Sequence, residues 1–141
     1  MATRSAKAVW NGGLKDGNGN MKTGSGAWEG KYSFGSRFEE APGTNPEELI
    51  GAAHAGCFSM ALSGALGKAG FAPTRIATEA KVHLALVEGG FAITRIELDC
   101  EATVPGITPA AFAEQAEGAK KGCPVSKALA AVPIELKARL V

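Results

Sequence analysis

The segment from Leu49 to Leu66 constrains the fold most, because nearly every residue in it is small or apolar. A helix that is apolar on all faces is buried in the middle of a domain. Asn45 is a favourable N-cap, Pro46 suits the first helical position, and Gly70 is typical of a helix end. The interruptions are His54, Ser59, Ser63 and three glycines. They argue against a membrane span, so we predict a central buried helix.

The chain before this helix is rich in glycine and in residues that form turns. Two short runs, residues 6–10 and 28–34, have the composition of strands, and turn residues lie between them. They predict a small antiparallel sheet within residues 1–36. The stretch Arg37–Thr44 is predicted to be a loop, because Pro42 and Gly43 interrupt it.

Beyond the central helix, the sequence predicts a hairpin that turns at Gly89–Gly90, then helices at 108–122 and 123–130, and a last strand at 134–140. Alternation places apolar residues on one face of each hairpin strand. These residues are Val82, Leu84 and Leu86 on the first strand, and Ala92, Ile96, Leu98, Cys100, Ala102 and Val104 on the second. Helices grouped between strands indicate one α+β domain over residues 1–141.

Charge and motif content exclude several classes of function. The 15 basic and 14 acidic residues are mixed along the chain and give a net charge of +1. Nucleic-acid and membrane partners are therefore not expected. The N-terminus lacks an apolar signal-peptide core, so we expect a cytoplasmic protein. With two histidines and no metal-ligand spacing of cysteines, neither a metal nor another cofactor is expected.

The three cysteines are the principal candidates for chemistry, since a reducing compartment disfavours a structural disulfide framework. Cys57 lies within the predicted buried helix, and it is reactive only if a positive charge or hydrogen-bond donors offset burial. Cys123 stands at an apparent N-cap, where small polar residues are usual and where thiolate is favoured. Cys100 is predicted to be a structural thiol, because alternation places it on the apolar strand face.

Three other residues could serve Cys57. His54 precedes it by one helical turn, which is compatible with a Cys–His pair, but no further group completes a hydrolase site, so packing is favoured. Arg37 could stabilise a thiolate. Glu47 is ten residues from Cys57, which is about 15 Å along one helix. Glu47 can therefore reach that thiol only from a second subunit, or if the helix is broken.

Three blocks of sequence resemble a known family. They are RFEEAPGTNPEELIGAAHAGCFSMAL at residues 37–62, GFAITRIELDCEATVPGI at 90–107 and AKKGCPVSKAL at 119–129. Together they resemble the OsmC branch of the OsmC/Ohr family of bacterial hydroperoxide reductases, over essentially the whole chain. The resemblance implies an OsmC-like α+β fold with antiparallel sheets around the central helix. It also implies an intertwined homodimer with two active sites at the interface.

The same resemblance implies residue roles and an activity. Cys57 matches the peroxidatic cysteine, Cys123 the resolving cysteine, Arg37 the partner of the thiolate and Glu47 the group that orients this arginine. The implied activity is reduction of organic hydroperoxides, and less efficiently of hydrogen peroxide, with a dithiol reductant such as a lipoyl-carrying protein. We expect an apolar wall around Phe58 and Met60 to favour alkyl substrates. A general disulfide oxidoreductase and a non-catalytic stress or ligand-binding protein remain alternatives.

Overall fold

A computed structural model describes all residues from Met1 to Val141. The chain forms two compact units, Met1–Leu49 and Ile50–Val141, and the single domain over residues 1–141 stays a prediction. Both units contain strands and helices, in agreement with the predicted α+β class.

The first unit contains a three-stranded antiparallel sheet of β1 (Ala6–Asn11), β2 (Asn18–Thr23) and β3 (Glu29–Tyr32). The small sheet predicted for residues 1–36 is therefore confirmed. The rings of Trp10 and Tyr32 lie 5.3 Å apart. Gly19 lies against both rings, and a Cβ atom at this position would approach the Tyr32 ring to 2.4 Å. The close approach of these rings thus requires glycine on β2.

A short helix, α1 (Phe34–Phe38), follows β3 and includes Arg37, so the prediction that the loop begins at Arg37 was wrong. Two serines cap this helix reciprocally. The Ser36 N–H donates to Ser33 Oγ at 3.1 Å, and the Ser33 N–H donates to Ser36 Oγ at 2.8 Å. This capping box satisfies backbone donors at the helix start and stabilises a helix that is otherwise too short. Arg37 is thereby held in the last turn of α1.

The predicted start of the long helix is confirmed. This helix, α2, spans Pro46–Lys68, and Asn45 Oδ1 accepts a hydrogen bond from the Glu48 N–H at 2.7 Å. A buried stripe follows one face of α2, and the opposite face is exposed in the single chain. The buried stripe consists of Glu47, Gly51, His54, Phe58, Leu62 and Leu66. Burial on every face, as the sequence predicted, is therefore not confirmed for one chain.

The second unit contains a mixed sheet. Strands β4 (Arg75–Val87) and β5 (Gly90–Thr103) are antiparallel, whereas β6 (Ile134–Leu140) lies parallel to β5. The prediction of purely antiparallel sheets was therefore wrong for this one. The reason is the connection: α3 (Pro109–Gly122) and α4 (Pro124–Ala128) return the chain between β5 and β6, as parallel neighbours require.

The core of the second unit forms where α2, β5 and α3 contribute apolar side chains. Its fully or nearly fully buried members are Phe58, Leu62, Leu66, Ile96, Leu98, Cys100, Ala102, Val104, Phe112, Ala116 and Ala119. The register shifts by one residue at Thr94, since His83 pairs with Arg95 and Leu84 with Ile93. This bulge reverses the alternation before it. Ile93 therefore packs against the core, and the prediction for Ala92 was wrong.

Helix α2 is long and apolar enough to cross a membrane by length and composition alone. Core helices of globular proteins pass the same test. Phe58, Leu62 and Leu66 of α2 pack with β5 and α3, which is the arrangement of a core helix.

Candidate functional site

The side chains of Cys57 and Cys123 interact directly in the second unit. Cys57 lies mid-way along α2 and is half-buried, whereas Cys123 is fully buried. Cys123 ends α3, where its N–H donates to the Ala119 carbonyl at 2.9 Å, and it is also the N-cap of α4. Pro124 cannot continue the α3 hydrogen-bond pattern. The chain therefore turns at Cys123, and its thiol interacts with that of Cys57 on α2.

The two thiols differ in acidity. Burial raises the pKa of Cys57, and the hydrogen bond with Cys123 raises it further, while the Val125 N–H acts in the opposite direction. Burial also disfavours the thiolate of Cys123. Hydrogen bonds from Cys57, Ser126 and the Val125 N–H outweigh burial and lower the pKa of Cys123. These groups thus favour a proton on Cys57 and the negative charge on Cys123.

Arg37 and Glu47 form a tight ion pair in the first unit. Arg37 Nη2 donates to Glu47 Oε1 at 2.7 Å, and Nε lies 3.2 Å from both carboxylate oxygens. The Glu47 side chain is 9% exposed and that of Arg37 is 36% exposed. The guanidinium compensates the negative charge of the buried carboxylate. Hydrogen bonds from two of its nitrogens fix the orientation of the guanidinium. The Arg37 Nη1 group makes no hydrogen bond to Glu47.

Ser36 brings the two members of this ion pair together. Its hydroxyl donates to the Thr44 carbonyl at 2.7 Å, and its own carbonyl accepts from Asn45 Nδ2 at 3.1 Å. These bonds tie α1 to the residues that begin α2. Gly43 between them adopts φ +128°, a conformation that favours glycine.

The structure thus assembles the four predicted site residues into two pairs. Cys57 contacts Cys123 in one unit, and Arg37 binds Glu47 in the other. Helix α2 carries both Glu47 and Cys57 and is continuous from Pro46 to Lys68. A break in this helix, one of the two ways in which Glu47 could reach Cys57, is therefore excluded.

The third cysteine belongs to the core. Cys100 is fully buried on β5 among apolar side chains, as the alternation predicts. Burial raises its pKa, and a hydrogen bond with the Thr78 side chain only partly offsets this effect. Cys100 therefore stays a neutral thiol.

A buried polar pair lies beside Cys123 that the sequence did not predict. His54 is fully buried, and its Nε2 lies 2.7 Å from Ser126 Oγ. The other ring nitrogen, Nδ1, is buried without a hydrogen-bond partner. Burial lowers the pKa of His54, so the ring is neutral. The position of Ser126, three residues after the N-cap Cys123, is visible in the sequence, but its pairing with His54 is not.

An aromatic pocket of about 210 Å³ adjoins the Arg37 guanidinium in the first unit. It is lined by Trp10, Leu14, Tyr32, Ser33, Phe34, Arg37 and Phe38. The apolar wall predicted around Phe58 and Met60 is not formed by the single chain. Phe58 is fully buried in the core, and Met60 is 78% exposed. Their side chains point to opposite faces of α2 because they are two residues apart in a helix.

Clusters of metal-binding side chains are not found among residues 1–141. No group of three or more His, Cys, Asp or Glu residues could hold a metal ion. The groups of chemical interest are the thiol pair, the ion pair and the buried His54–Ser126 pair.

Comparison with known proteins places the chain in a family. The family model described as OsmC-like protein matches residues 38–137. The chain is 54% identical over 129 residues to peroxiredoxin OsmC of Escherichia coli, covering 91% of this chain and 90% of that protein.

Solved structures share the fold. The organic hydroperoxide resistance protein OhrB of Bacillus subtilis is 25% identical with a TM-score of 0.73, and the match covers 96% of this chain and 98% of OhrB. An OsmC-like protein of Mycoplasma pneumoniae, at 16% identity, has a TM-score of 0.78 over 99% of this chain and 98% of that one. The chain thus belongs to the OsmC-like protein family, and within it to the OsmC branch.

Proposed function

We propose that this protein is a thiol-dependent peroxidase that reduces organic hydroperoxides to alcohols, and hydrogen peroxide less efficiently. The observation that carries the proposal is that a half-buried thiol, Cys57, and a fully buried one, Cys123, lie near enough for each to shift the pKa of the other. Two neighbouring thiols of this kind can pass through a sulfenic acid on one sulfur to a disulfide between both. The relatives agree, since one is named a peroxiredoxin and another an organic hydroperoxide resistance protein.

The first step is attack by Cys57, the more accessible thiol of the pair. Its thiolate attacks the distal peroxide oxygen, so that a sulfur–oxygen bond forms and the oxygen–oxygen bond breaks. The alkoxide takes up a proton and leaves as an alcohol, and Cys57 becomes a sulfenic acid.

In the second step Cys123 attacks the Cys57 sulfur, and a disulfide forms as water leaves. This closure protects the sulfenic acid from irreversible oxidation. A dithiol then reduces the disulfide by exchange. A lipoyl-carrying protein in a reducing cytoplasm, the expected location, would fit this role.

The Arg37–Glu47 pair supplies the positive charge that Cys57 lacks in its own unit. Burial and Cys123 both raise the pKa of Cys57, so a cation is needed to favour its thiolate. Because Arg37 and Glu47 bind each other within one chain, they would act on a thiolate together. With α2 continuous, we assign this role to the pair of a second subunit.

The exposed face of α2 supports a homodimer. It consists of small residues and one methionine: Ala52, Ala53, Gly56, Met60, Ser63, Gly64 and Gly67. An apolar helix face of this length is rarely left in contact with water. A second copy of the chain that covers it would complete the burial predicted from the sequence and bring the two pairs into one site.

A charge on this face should separate the subunits. We expect Ala53→Glu to convert a dimer into monomers and to lower peroxidase activity at least tenfold, because a buried unpaired carboxylate opposes association. Light scattering after gel filtration measures the state of assembly. Ala113→Glu, at an exposed position of α3, is the matched control and should remain dimeric and active. A wild-type protein that is active and monomeric at all concentrations would disprove the shared site.

The aromatic pocket next to Arg37 supports a preference for organic peroxides. Trp10, Tyr32, Phe34 and Phe38 offer an apolar surface within reach of the guanidinium. Such a surface can bind an alkyl or aryl group, and hydrogen peroxide has no group to place there.

Titration of thiols with one equivalent of cumene hydroperoxide tests the proposed function. The reduced chain has three free thiols, and we expect only Cys100 to remain after one equivalent, because Cys57 and Cys123 close to a disulfide. If all three thiols persist, the protein is a non-catalytic binding protein. If peroxide leaves the thiols intact but the protein reduces insulin disulfides, it is a general disulfide oxidoreductase.

A further inference from the structure

We propose that His54 and Ser126 are positioning residues for the resolving step: the imidazole of His54 orients the Ser126 hydroxyl so that it donates to the sulfur of Cys123. The inference rests on the proposed function, because it assigns a role within the same thiol pair. It concerns disulfide formation and leaves the attack on peroxide unaffected.

The geometry of the buried pair is the first support. His54 on α2 and Ser126 on α4 are both buried, and Nε2 and Oγ lie 2.7 Å apart. Because the pair has no access to water, the two groups have few alternative partners. The remaining question is which of them donates the hydrogen.

The unpartnered Nδ1 of His54 decides which group donates. If Nδ1 carried the proton, its buried N–H would have no acceptor. The Ser126 hydroxyl would then donate to Nε2. Buried N–H groups without partners are rare and costly. With the proton on Nε2, the ring donates to Ser126 Oγ, and only a lone pair is left unmatched. The hydrogen-bond network thus assigns the Nε2–H form, which directs the hydroxyl hydrogen away from the ring.

The position of Ser126 relative to Cys123 determines where that hydrogen points. Cys123 is the N-cap of α4 and Ser126 is the third residue of the helix. Side chains at these two positions lie at the same end of a helix, as in a capping box. The Ser126 hydroxyl lowers the pKa of the Cys123 thiol, as a donor close to the sulfur does. One hydroxyl therefore interacts with both His54 and Cys123.

The role of the Ser126 hydroxyl in the reaction follows from the bonds that form and break when the disulfide closes. Cys123 loses its proton and its thiolate attacks the sulfur of the Cys57 sulfenic acid. The sulfur–sulfur bond forms, the sulfur–oxygen bond breaks, and the departing hydroxide gains a proton to leave as water. The Ser126 hydroxyl stabilises the thiolate before the attack, and neutral His54 holds this hydroxyl without accepting a proton.

Single-turnover kinetics of Ser126 variants test this role. In Ser126→Ala we expect disulfide formation to slow about tenfold, the low end for a hydrogen bond to a charged group. Consumption of the first peroxide should keep its wild-type rate, and more sulfinic acid should accumulate per turnover. Ser126→Thr retains a hydroxyl and should restore closure. The matched control is Ser59→Ala on α2, which loses a hydrogen bond to Thr78 and should behave as wild type.

Variants of His54 test whether it acts through Ser126. His54→Leu should slow closure severalfold, and His54→Gln, which retains an N–H donor, should recover most of the rate. Combined with Ser126→Ala, His54→Leu should add no further loss, because His54 acts on Cys123 only through the Ser126 hydroxyl. Effects that multiply in the double variant would overturn the proposal.

Ionisation of Cys123 provides a readout that needs no peroxide. With Cys57→Ala and Cys100→Ala, Cys123 is the only thiol, and its thiolate absorbance can be followed against pH. Ser126→Ala in this background should reduce the thiolate fraction at neutral pH about tenfold. An unchanged fraction would refute the positioning role even if the protein is a peroxidase. Conversely, a reduced fraction in a protein that does not consume peroxide would refute the proposed function alone.

Discussion

Replacing Cys57 by serine should abolish peroxide turnover, with a loss of roughly a thousandfold or more, while leaving the fold intact. A hydroxyl does not ionise at neutral pH, whereas a thiol is partly thiolate and strongly nucleophilic. Loss of an essential nucleophile leaves only the residual effect of binding. Because Cys57 is half-buried and serine has the same shape, packing on α2 should barely change. Peroxide consumption measures the loss, and thermal unfolding checks the fold.

The matched control for this variant is the core cysteine. Cys100→Ala removes a thiol that lies in the core, so it should lower the melting temperature but retain turnover. Cavities left by small deletions in a core cost about 1 kcal/mol or more. Turnover retained by Cys57→Ser, or lost on replacing Cys100, would show that the wrong thiol had been assigned to the attack.

Local signals predicted most elements of the fold because each element is specified by its own residues. Asn45 and Pro46 define the start of α2, and the alternation along β5 placed Cys100 in the core. Helix α1 was missed because its stability depends on two serines that bond reciprocally. Serine in a loop carries no such signal by itself.

Features that depend on distant partners could not be predicted in this way. The bulge at Thr94 is a property of two paired strands, and it shifted the face assigned to Ala92. The direction of β6 depends on where α3 and α4 return the chain. The hydrogen bond between His54 and Ser126 joins residues 72 positions apart. Such pairings follow from the tertiary structure and leave no local pattern.

Some features of the candidate site were also implied by the sequence, whereas others required the structure. Sequence blocks around Cys57 and Cys123 imply their roles by resemblance, and the structure adds that burial raises the pKa of Cys57. Residue types alone showed only that Arg37 could stabilise a thiolate. Its ion pair with the buried Glu47 is what makes a functional role physically reasonable, since the buried carboxylate needs this partner and also orients it.

Cys123→Ser should limit the protein to a single turnover. The first peroxide should react at near the wild-type rate, because Cys57 keeps its attacking thiol. Without the Cys123 thiol, the sulfenic acid of Cys57 has no partner in contact and persists or oxidises further to the irreversible sulfinic acid. Steady-state turnover with a dithiol should therefore fall on the order of a hundredfold or more. Mass spectrometry of Cys57 after one and after several equivalents of peroxide measures both states.

The comparison of Cys123→Ser with Ser126→Ala separates the thiol from its environment. The first variant removes the attacking sulfur and should stall completely, whereas the second only weakens the thiolate of Cys123 and should close slowly. Both should accumulate the same sulfenic acid, and more of it should accumulate in the variant whose disulfide forms more slowly. If Cys123→Ser continued to cycle with a dithiol at the wild-type rate, the reductant would have to act on the sulfenic acid of Cys57 directly. The contact between the two thiols would then have no catalytic role.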